Sequence, residues 1–358
     1  MENNTQQTSR RIFKGFDPKL WGTRLAYAGG DVACNIVFGM IGTLLTYFYT
    51  KMGVNIAAVG IVMLASRVFD GISDVIMGII VEKTHSRWGK ARPWLLWMSI
   101  PFCASAVLLF TIPMNLPPDK MWVQILYIAI SYNFCNTICY TAINLPYGTL
   151  STFMTDKSHE RDMLGNVRMG LSPIGKIVAV SLTLPLVNAF GGQGDQSAWI
   201  KTMTIWAVLA LILLLINFFC CPEKVNPAMN PQKKALETKL PMKKALKFLA
   251  TNKYFWFVLI LWMFQSTSFG VIGTILPYYC QNLVEHSSTG NLYNILFLVE
   301  TGTLVVFVFV CMPLVKKVGK RNLALAGTFI ALAGQLVFTF VPYTQSNAIP
   351  MLYMSAIT

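Results

Sequence analysis

Long apolar stretches, separated by shorter polar segments rich in Lys and Arg, make up most of this 358-residue chain. A helix needs about 20 apolar residues to cross the roughly 30 Å of hydrocarbon in a bilayer, and longer stretches can tilt. Nine stretches are therefore predicted to be membrane-spanning helices: residues 25–49, 54–81, 94–114, 122–146, 166–190, 199–221, 254–280, 291–314 and 322–342. A tenth begins near Pro350 and stops at Thr358, after too few residues to cross. The pattern predicts an all-α membrane protein and indicates an incomplete chain.

Composition supports the membrane interpretation. Hydrophobic residues form 54% of the chain and charged residues 12%, whereas a typical soluble domain carries about 25% charged residues. The formal net charge of +14 would suggest a nucleic-acid partner in a soluble protein. Here the basic residues flank the apolar spans, so membrane lipid with anionic headgroups accounts for them and no nucleic acid is expected.

The Lys and Arg residues are distributed unequally between the two sets of loops. With the amino terminus in the cytoplasm, the outer loops contain only Lys51, Lys120 and Lys201, and every inner loop is basic. Because cytoplasmic loops carry the excess of positive charge, this orientation is predicted. Residues 1–20 lack the apolar core of a cleavable signal peptide, so we expect the first span to direct insertion.

The longest polar interruption, residues 222–253, follows the sixth span and is rich in Lys, Pro and Asn. It is predicted to be a cytoplasmic linker, with an amphipathic stretch at 235–249 that suits the membrane surface. It would join an amino-terminal six-helix bundle (1–221) to an incomplete carboxy-terminal bundle (254–358). Two six-helix halves are typical of the major facilitator fold.

Two acidic residues, Asp70 and Asp74, lie inside the second apolar span. Four residues advance a helix by about one turn, so both carboxylates project from one stripe. Charged groups in hydrocarbon are costly, and chains place them toward a protein interior or a hydrated path. Paired carboxylates in such a path indicate a cation site. The sequence shows no grouping typical of a catalytic pocket, and its three His residues all fall in loops, so an enzyme is not expected.

Two neighbouring segments carry a family resemblance. RVFDGISDVIMG (67–78) and EKTHSRWGKARPW (82–94) resemble the glycoside-pentoside-hexuronide:cation symporter family, which contains the melibiose permease. The resemblance implies that Asp70 and Asp74 coordinate the coupling cation and that Ser73 assists as a neighbouring polar group.

A third matching segment, CYTAINLPYG (139–148), lies on the fourth span. Thr141 matches a cation-site threonine of the family, whereas Asn144 stands where the family carries a third acid. Sodium requires several oxygen ligands, but a transported proton needs only a carboxylate of suitable pKa. An Asn carbonyl can coordinate sodium and cannot be protonated. Both H⁺ and Na⁺ therefore remain open as the coupling ion, and the missing acid favours the proton.

The resemblance also implies a sugar site. Asp31 matches a first-span acid that holds sugar hydroxyls, and Arg168 matches a fifth-span arginine that makes complementary contacts. Tyr140, on the polar stripe of the fourth span, is predicted to contact the substrate as well. Gly30 and Gly148 replace residues that are Lys and Trp in the melibiose permease, so melibiose itself is not expected to be the substrate.

The remaining charged residues near the spans have two interpretations each. Arg67 precedes the first acid by three residues, and either pairs with it or takes part in gating. Lys176 on the fifth span either packs as a snorkelling side chain or serves as a charge partner of the acids. The inner-loop residues Arg87, Lys90 and Arg92 suit lipid headgroups, and the resemblance implies a gating role for them.

The sequence thus predicts a multi-pass protein of the bacterial cytoplasmic membrane that takes up a glycoside or other small sugar with a coupling cation, by alternating access and without a cofactor. Two alternatives remain open. The same scaffold could carry or sense a lysolipid, for which a wide apolar cleft is expected. Alternatively, the chain could be an inactive fragment that lacks the last helices.

Overall fold

The computed structural model describes residues 18–114, 117, 120–224, 248–279 and 320–340, together with separate residues between 299 and 319. These residues are predominantly helical, and no β-strand occurs among them. The helices are α1 (Pro18–Thr43), α2 (Leu45–Lys51), α3 (Ile56–Lys83), α4 (Arg92–Leu108), α5 (Met121–Tyr132), a π-helical segment (Asn133–Tyr140), α6 (Thr141–Met154), α7 (Ser158–Phe190), α8 (Gln196–Cys220), α9 (Lys253–Tyr279) and α10 (Lys320–Phe340).

Most predicted spans coincide with these helices, with two differences. The first span is divided at Leu44 into α1 and α2, and the fourth runs as α5, the π-helical segment and α6. Four described helices are long and apolar enough to cross a membrane, namely Leu20–Thr43, Ile56–Lys83, Ser158–Phe190 and Gln196–Cys220. The predicted tenth span, most of the eighth (291–314) and the linker residues 225–247 lie outside the described part of the chain.

The chain forms two compact units, Met1–Pro231 and Gln232–Thr358. The first unit contains α1 to α8, and its core lies where α1 packs along α7 and α8, with α4 against α8. At one end of this core, Phe110 stacks on Trp199 with ring centroids 6.0 Å apart, and Phe48 lies 5.1 Å from Phe110. These large rings are buried, so this end of the unit is closed by aromatic packing.

Polar side chains determine where several helices begin. Asn55 accepts hydrogen bonds from the main-chain N–H groups of Ala57 and Ala58 at the start of α3. Asp195 accepts from the hydroxyl and the N–H of Ser197 at the start of α8. These hydrogen bonds, above all that from the Ser197 hydroxyl, lower the pKa of the Asp195 carboxyl. Both caps satisfy N–H groups that a helix leaves unpaired at its first turn.

Helix α3 has one polar, packed stripe and a broad exposed apolar surface. It contacts α5, the π-helical segment and α6. Its exposed apolar residues include Ile61, Leu64, Val68, Ile72, Val75 and Ile76. Asp70 lies on the packed stripe and Asp74 is exposed beside it, and both acids accept hydrogen bonds from the fourth predicted span.

Candidate cation and substrate sites

Asp70 and Asp74 lie one turn apart on α3, and each accepts hydrogen bonds from the facing helix. Asn136 Nδ2 donates to Asp70 Oδ2 at 3.0 Å, and Thr137 Oγ1 donates to Asp70 Oδ1 at 2.5 Å. Thr141 Oγ1 donates to Asp74 Oδ1 at 3.1 Å. The stripe predicted from the four-residue spacing is therefore present, and it faces protein groups.

The two carboxylates have different electrostatic surroundings. Arg67 Nη1 lies 3.6 Å from Asp70 Oδ2, and the Asp70 side chain is only 20% exposed. Asp74 is exposed, and Thr141 is the one hydrogen-bond donor that the described residues give it. The Asp70 carboxylate thus lies beside a guanidinium and accepts from two neutral donors, whereas the Asp74 carboxylate keeps most of its lone pairs available.

The two hydrogen-bond donors to Asp70 lie in the π-helical segment Asn133–Tyr140, and Thr141, which donates to Asp74, is the first residue of α6. Such segments are rare and often occur at functional sites, because the wider helix changes the direction of the side chains that it carries. Here it allows the adjacent residues Asn136 and Thr137 to reach the same carboxylate. Ser73 Oγ donates to the main-chain carbonyl of Thr137 at 2.6 Å, so Ser73 supports the segment in this structure. Its predicted contact with the cation stays a prediction.

A cavity of about 340 Å³ opens beside the acids. Phe38 and Tyr140 form part of its wall as a stacked pair with centroids 5.1 Å apart. The full lining is Phe38, Arg67, Asp70, Asp74, Asn136, Tyr140, Thr141, Asn144 and Leu145. Two carboxylates, one guanidinium and several neutral oxygens thus face one space, with an aromatic surface at its edge.

Asp31 and Arg168, the predicted sugar-binding pair, are brought together by α1 and α7. Arg168 Nε lies 3.1 Å from Asp31 Oδ2, and the two side chains are 24% and 8% exposed. The Arg168 guanidinium also lies 5.0 Å from the centroid of the Tyr147 ring. The lining of the cavity beside Asp70, as far as the described residues define it, does not include this pair. The predicted site residues therefore form two groups.

Lys176 packs α7 against α1. A Cβ added at Gly39 would lie 2.8 Å from Lys176 Cγ, so the aliphatic part of the lysine occupies the space that the glycine leaves. This contact fits the packing interpretation of Lys176. Its role as a charge partner of the acids stays a prediction.

The loop between α3 and α4 is attached to the end of α8 by Glu223. The Glu223 carboxylate accepts from the main-chain N–H groups of Lys90, Ala91 and Arg92 at 3.0, 2.8 and 2.7 Å. The Arg92 side chain donates from Nε to the carbonyl of Phe218 at 2.7 Å. Two of the residues predicted to gate are therefore fixed within the first unit through their main chain.

Arg87 has a different position in this loop. Its guanidinium lies 4.4 Å from the centroid of the Trp88 ring. Trp88 in turn packs edge-on against Phe218, with centroids 5.8 Å apart. The gating role of Arg87, Lys90 and Arg92 stays a prediction.

The sequence analysis did not single out three residues that the structure places at or near these sites, namely Phe38, Glu223 and Asn217. Phe38 resembles any apolar residue of a span, and Glu223 resembles one of many charges in the linker. Asn217, which is fully buried on α8, carried a signal that could have been used, because an amide within an apolar span needs partners.

Comparisons with known proteins agree with the fold. Residues 26–358 match the family described as MFS/sugar transport protein. The isoprimeverose transporter of Lactiplantibacillus pentosus is 31% identical over 92% of this chain and 66% of its own length. The putative glycoside/cation symporter YagG of Escherichia coli K12 is 30% identical over 74% of this chain and 55% of its own length. The chain thus spans less than two thirds of the length of these relatives.

A solved structure shows the same fold. The proton:xylose symporter XylE, bound to 6-bromo-6-deoxy-D-glucose, aligns with a TM-score of 0.65 at 13% sequence identity, covering 94% of this chain and 78% of XylE. The predicted major facilitator fold is confirmed at this level. The chain belongs to the MFS/sugar transport protein family, in its glycoside-pentoside-hexuronide:cation symporter group, which is a group of multi-pass membrane transporters and not of enzymes.

Proposed function

We propose that this protein couples the entry of one monovalent cation to the uptake of a glycoside by alternating access. The observation that carries the proposal is the cavity in which Asp70 and Asp74 face the π-helical segment and the Phe38–Tyr140 pair. A wide apolar cleft was expected for a lysolipid carrier, and the charged lining of this cavity favours a polar cargo instead. A hydrated cargo with hydroxyl groups suits such a lining.

The charges of the lining favour a single cation. Two carboxylates and one guanidinium give the cavity a net charge of about one negative unit when all three are ionised. Asp70 already has Arg67 at 3.6 Å and two neutral donors. Asp74 is left as the carboxylate that binds the cation or the proton, with Thr141 and Asn144 as neighbouring oxygen ligands.

The same helix connects the ion to the sugar. Tyr140 lies between Thr137, which holds Asp70, and Thr141, which holds Asp74. A cation that withdraws Asp74 from Thr141 therefore acts on the turn that carries Tyr140. Coupling between two sites is reciprocal, so a sugar that orders Tyr140 raises the affinity for the cation by the same factor by which the cation raises the affinity for the sugar. Asp31 and Arg168 would hold sugar hydroxyls by charge-assisted hydrogen bonds.

The test is uptake by this chain in lipid vesicles. Radiolabelled isoprimeverose, a glucuronide, and plant-derived pentosides and glucosides are offered under a sodium gradient at fixed pH, or under a pH gradient without sodium. We expect one gradient to drive accumulation of at least one sugar above equilibrium. Accumulation with the pH gradient alone assigns H⁺, and strict dependence on sodium assigns Na⁺. Absence of binding and uptake for every sugar would refute the proposal.

The variant Asp74→Asn separates coupling from sugar binding. We expect it to lose gradient-driven accumulation while it still equilibrates the sugar across the vesicle membrane, because the amide has no charge to balance the ion. Asp195→Asn is the matched control, since Asp195 caps α8 away from the cavity. Accumulation by Asp74→Asn at the level of the control would contradict the assignment of Asp74.

A further inference from the structure

A buried polar junction between α1, α6 and α8 lies next to the Asp31–Arg168 pair. Its centre is Asn217 of α8, whose side chain is fully buried. Asn217 Nδ2 donates to the main-chain carbonyls of Ala26 and Tyr27, at 3.0 Å in each case. In a helix these two carbonyls belong to the turn that precedes Asp31. Asn217 thereby fixes the part of α1 that presents the Asp31 carboxylate.

Tyr147 of α6 joins the same junction to Arg168. Its hydroxyl donates to the carbonyl of Tyr27 at 2.6 Å, and its ring stacks on the Tyr27 ring with centroids 4.9 Å apart. The Arg168 guanidinium lies 5.0 Å from the Tyr147 centroid. One rigid aromatic side chain therefore contacts both the base of the pair and the helix that carries its acid.

Gly30 allows this close approach. A Cβ at position 30 would lie 2.6 Å from Asn217 Nδ2 and 2.7 Å from Tyr147 Cε2. Side chains other than hydrogen would push both residues away from α1. The residue directly before Asp31 is therefore part of the junction.

Packing alone does not explain an asparagine at position 217. A buried amide in a membrane helix is costly, and Asn217 Oδ1 has no hydrogen-bond partner among the described residues. An apolar side chain of similar volume would fill the same space without that cost. What the amide adds is two directional bonds to α1, beside the charged pair.

We propose that Asn217 and Tyr147 are positioning residues for the glycoside site. They hold Asp31 and Arg168 at the separation at which the pair can hydrogen-bond to vicinal sugar hydroxyls. The inference rests on the proposed function of that pair. It predicts that disturbing the junction weakens sugar binding and leaves cation binding in the absence of sugar intact. The reason is that the hydrogen-bond donors of Asp70 and Asp74 are Asn136, Thr137 and Thr141, and neither Asn217 nor Tyr147 is among them.

The experiment uses the purified full chain with Asn217→Leu and Tyr147→Phe. Tyr147→Phe keeps the ring beside Arg168 and removes only the hydroxyl. Isoprimeverose, or the labelled sugar that the parent protein accumulates, is the probe for sugar affinity, and sodium or proton titration is the probe for the ion. We expect sugar affinity to fall about tenfold in each variant through misplacement of the pair, with ion affinity unchanged.

Matched controls come from the same bundle. Thr202→Val removes a fully buried hydroxyl on α8 that bonds only to Ala198 of its own helix in the described structure. Tyr49→Phe removes a buried hydroxyl that donates to the carbonyl of Leu109. Both should retain parental sugar affinity. Equal losses of sugar and ion affinity in Asn217→Leu, or unchanged sugar affinity in both junction variants, would overturn the proposal.

Absence of sugar binding by the parent protein would refute the proposed function, and a second measurement tests the junction even in that case. Thermal unfolding is compared for Asn217→Leu alone, Arg168→Ala alone and the double variant. Residues that act through one another give non-additive effects. We expect Asn217→Leu to change the Tm by a different amount in the Arg168→Ala background than in the parent, whereas Thr202→Val changes it equally in both. Additive effects of Asn217→Leu would overturn the positioning role.

Discussion

Glu223 offers a quantitative test of how the loop between α3 and α4 is held. Its carboxylate is 6% exposed and accepts three main-chain N–H groups at 2.7–3.0 Å, at the residues where α4 begins. Hydrogen bonds to a charged group contribute about 1.5–3 kcal/mol each, and a negative charge at a helix amino terminus adds about 0.3–1 kcal/mol. Gly89 makes the approach possible, because its φ of +115° and lack of a Cβ leave space for the carboxylate.

The expected costs follow from the bonds that each variant loses. Glu223→Ala leaves three N–H groups without this acceptor, which we expect to destabilise the first unit by about 5 kcal/mol, the lower end of the sum of these contributions. Glu223→Gln retains one acceptor oxygen and places an NH₂ group against an N–H, so about half of that cost is expected. Each kcal/mol lowers the Tm of a unit of this size by about 2–4 °C, so the Tm should fall by about 10–20 °C in Glu223→Ala and by about 5–10 °C in Glu223→Gln.

The assay is thermal unfolding of purified protein in detergent. Glu82→Ala is the control, because Glu82 is an exposed carboxylate at the end of α3, directly before this loop. If Glu223→Ala unfolds at the temperature of the Glu82→Ala control, the carboxylate does not hold the loop, and the capping argument is wrong.

Two further predictions concern the packing of α1. Gly30→Ala should destabilise the protein by about 1–3 kcal/mol, because its Cβ would overlap Asn217 and Tyr147. Gly42→Ala is the control, because a Cβ at position 42 of the same helix would meet open space. Equal Tm values for the two variants would contradict the close packing at Gly30. Arg24 makes two hydrogen bonds to Glu160, at 2.8 and 3.0 Å, and its side chain is only 7% exposed. Arg24→Ala should therefore lower the free energy of unfolding by about 3–5 kcal/mol, because it leaves a partly buried carboxylate unpaired. Adding Glu160→Gln should reduce this loss. If Arg24→Ala unfolds at a Tm near that of a variant of the exposed Arg161, Arg161→Ala, the prediction is wrong.

Local patterns in the sequence predicted much of the architecture. Apolar length fixes which segments can span hydrocarbon, and the four-residue spacing of Asp70 and Asp74 fixes that they share a helix stripe. Both are properties of a single helix, which the chain specifies without reference to its neighbours. The family resemblance, through Thr141, further indicated that the fourth span lies beside the acids, and Thr141 donates to Asp74 in the structure.

Tertiary structure decided how these helices meet. The π-helical register of Asn133–Tyr140 depends on the facing α3, from which Ser73 donates to the carbonyl of Thr137. Glu223 reaches the start of α4 across more than a hundred residues of chain, so no local pattern distinguishes it from other charges of the linker.

The same reason separates the two predicted sites. Sequence resemblance assigned the paired acids to a cation site and Asp31 with Arg168 to a sugar site. Only helix packing places Asp31 and Arg168 together, beside Tyr147, and leaves them out of the described lining of the Asp70 cavity. Which residues form a helix follows from neighbours along the chain. Which side chains share a cavity follows from close approaches such as that of Gly30 to Asn217, and these exist only once the bundle has packed.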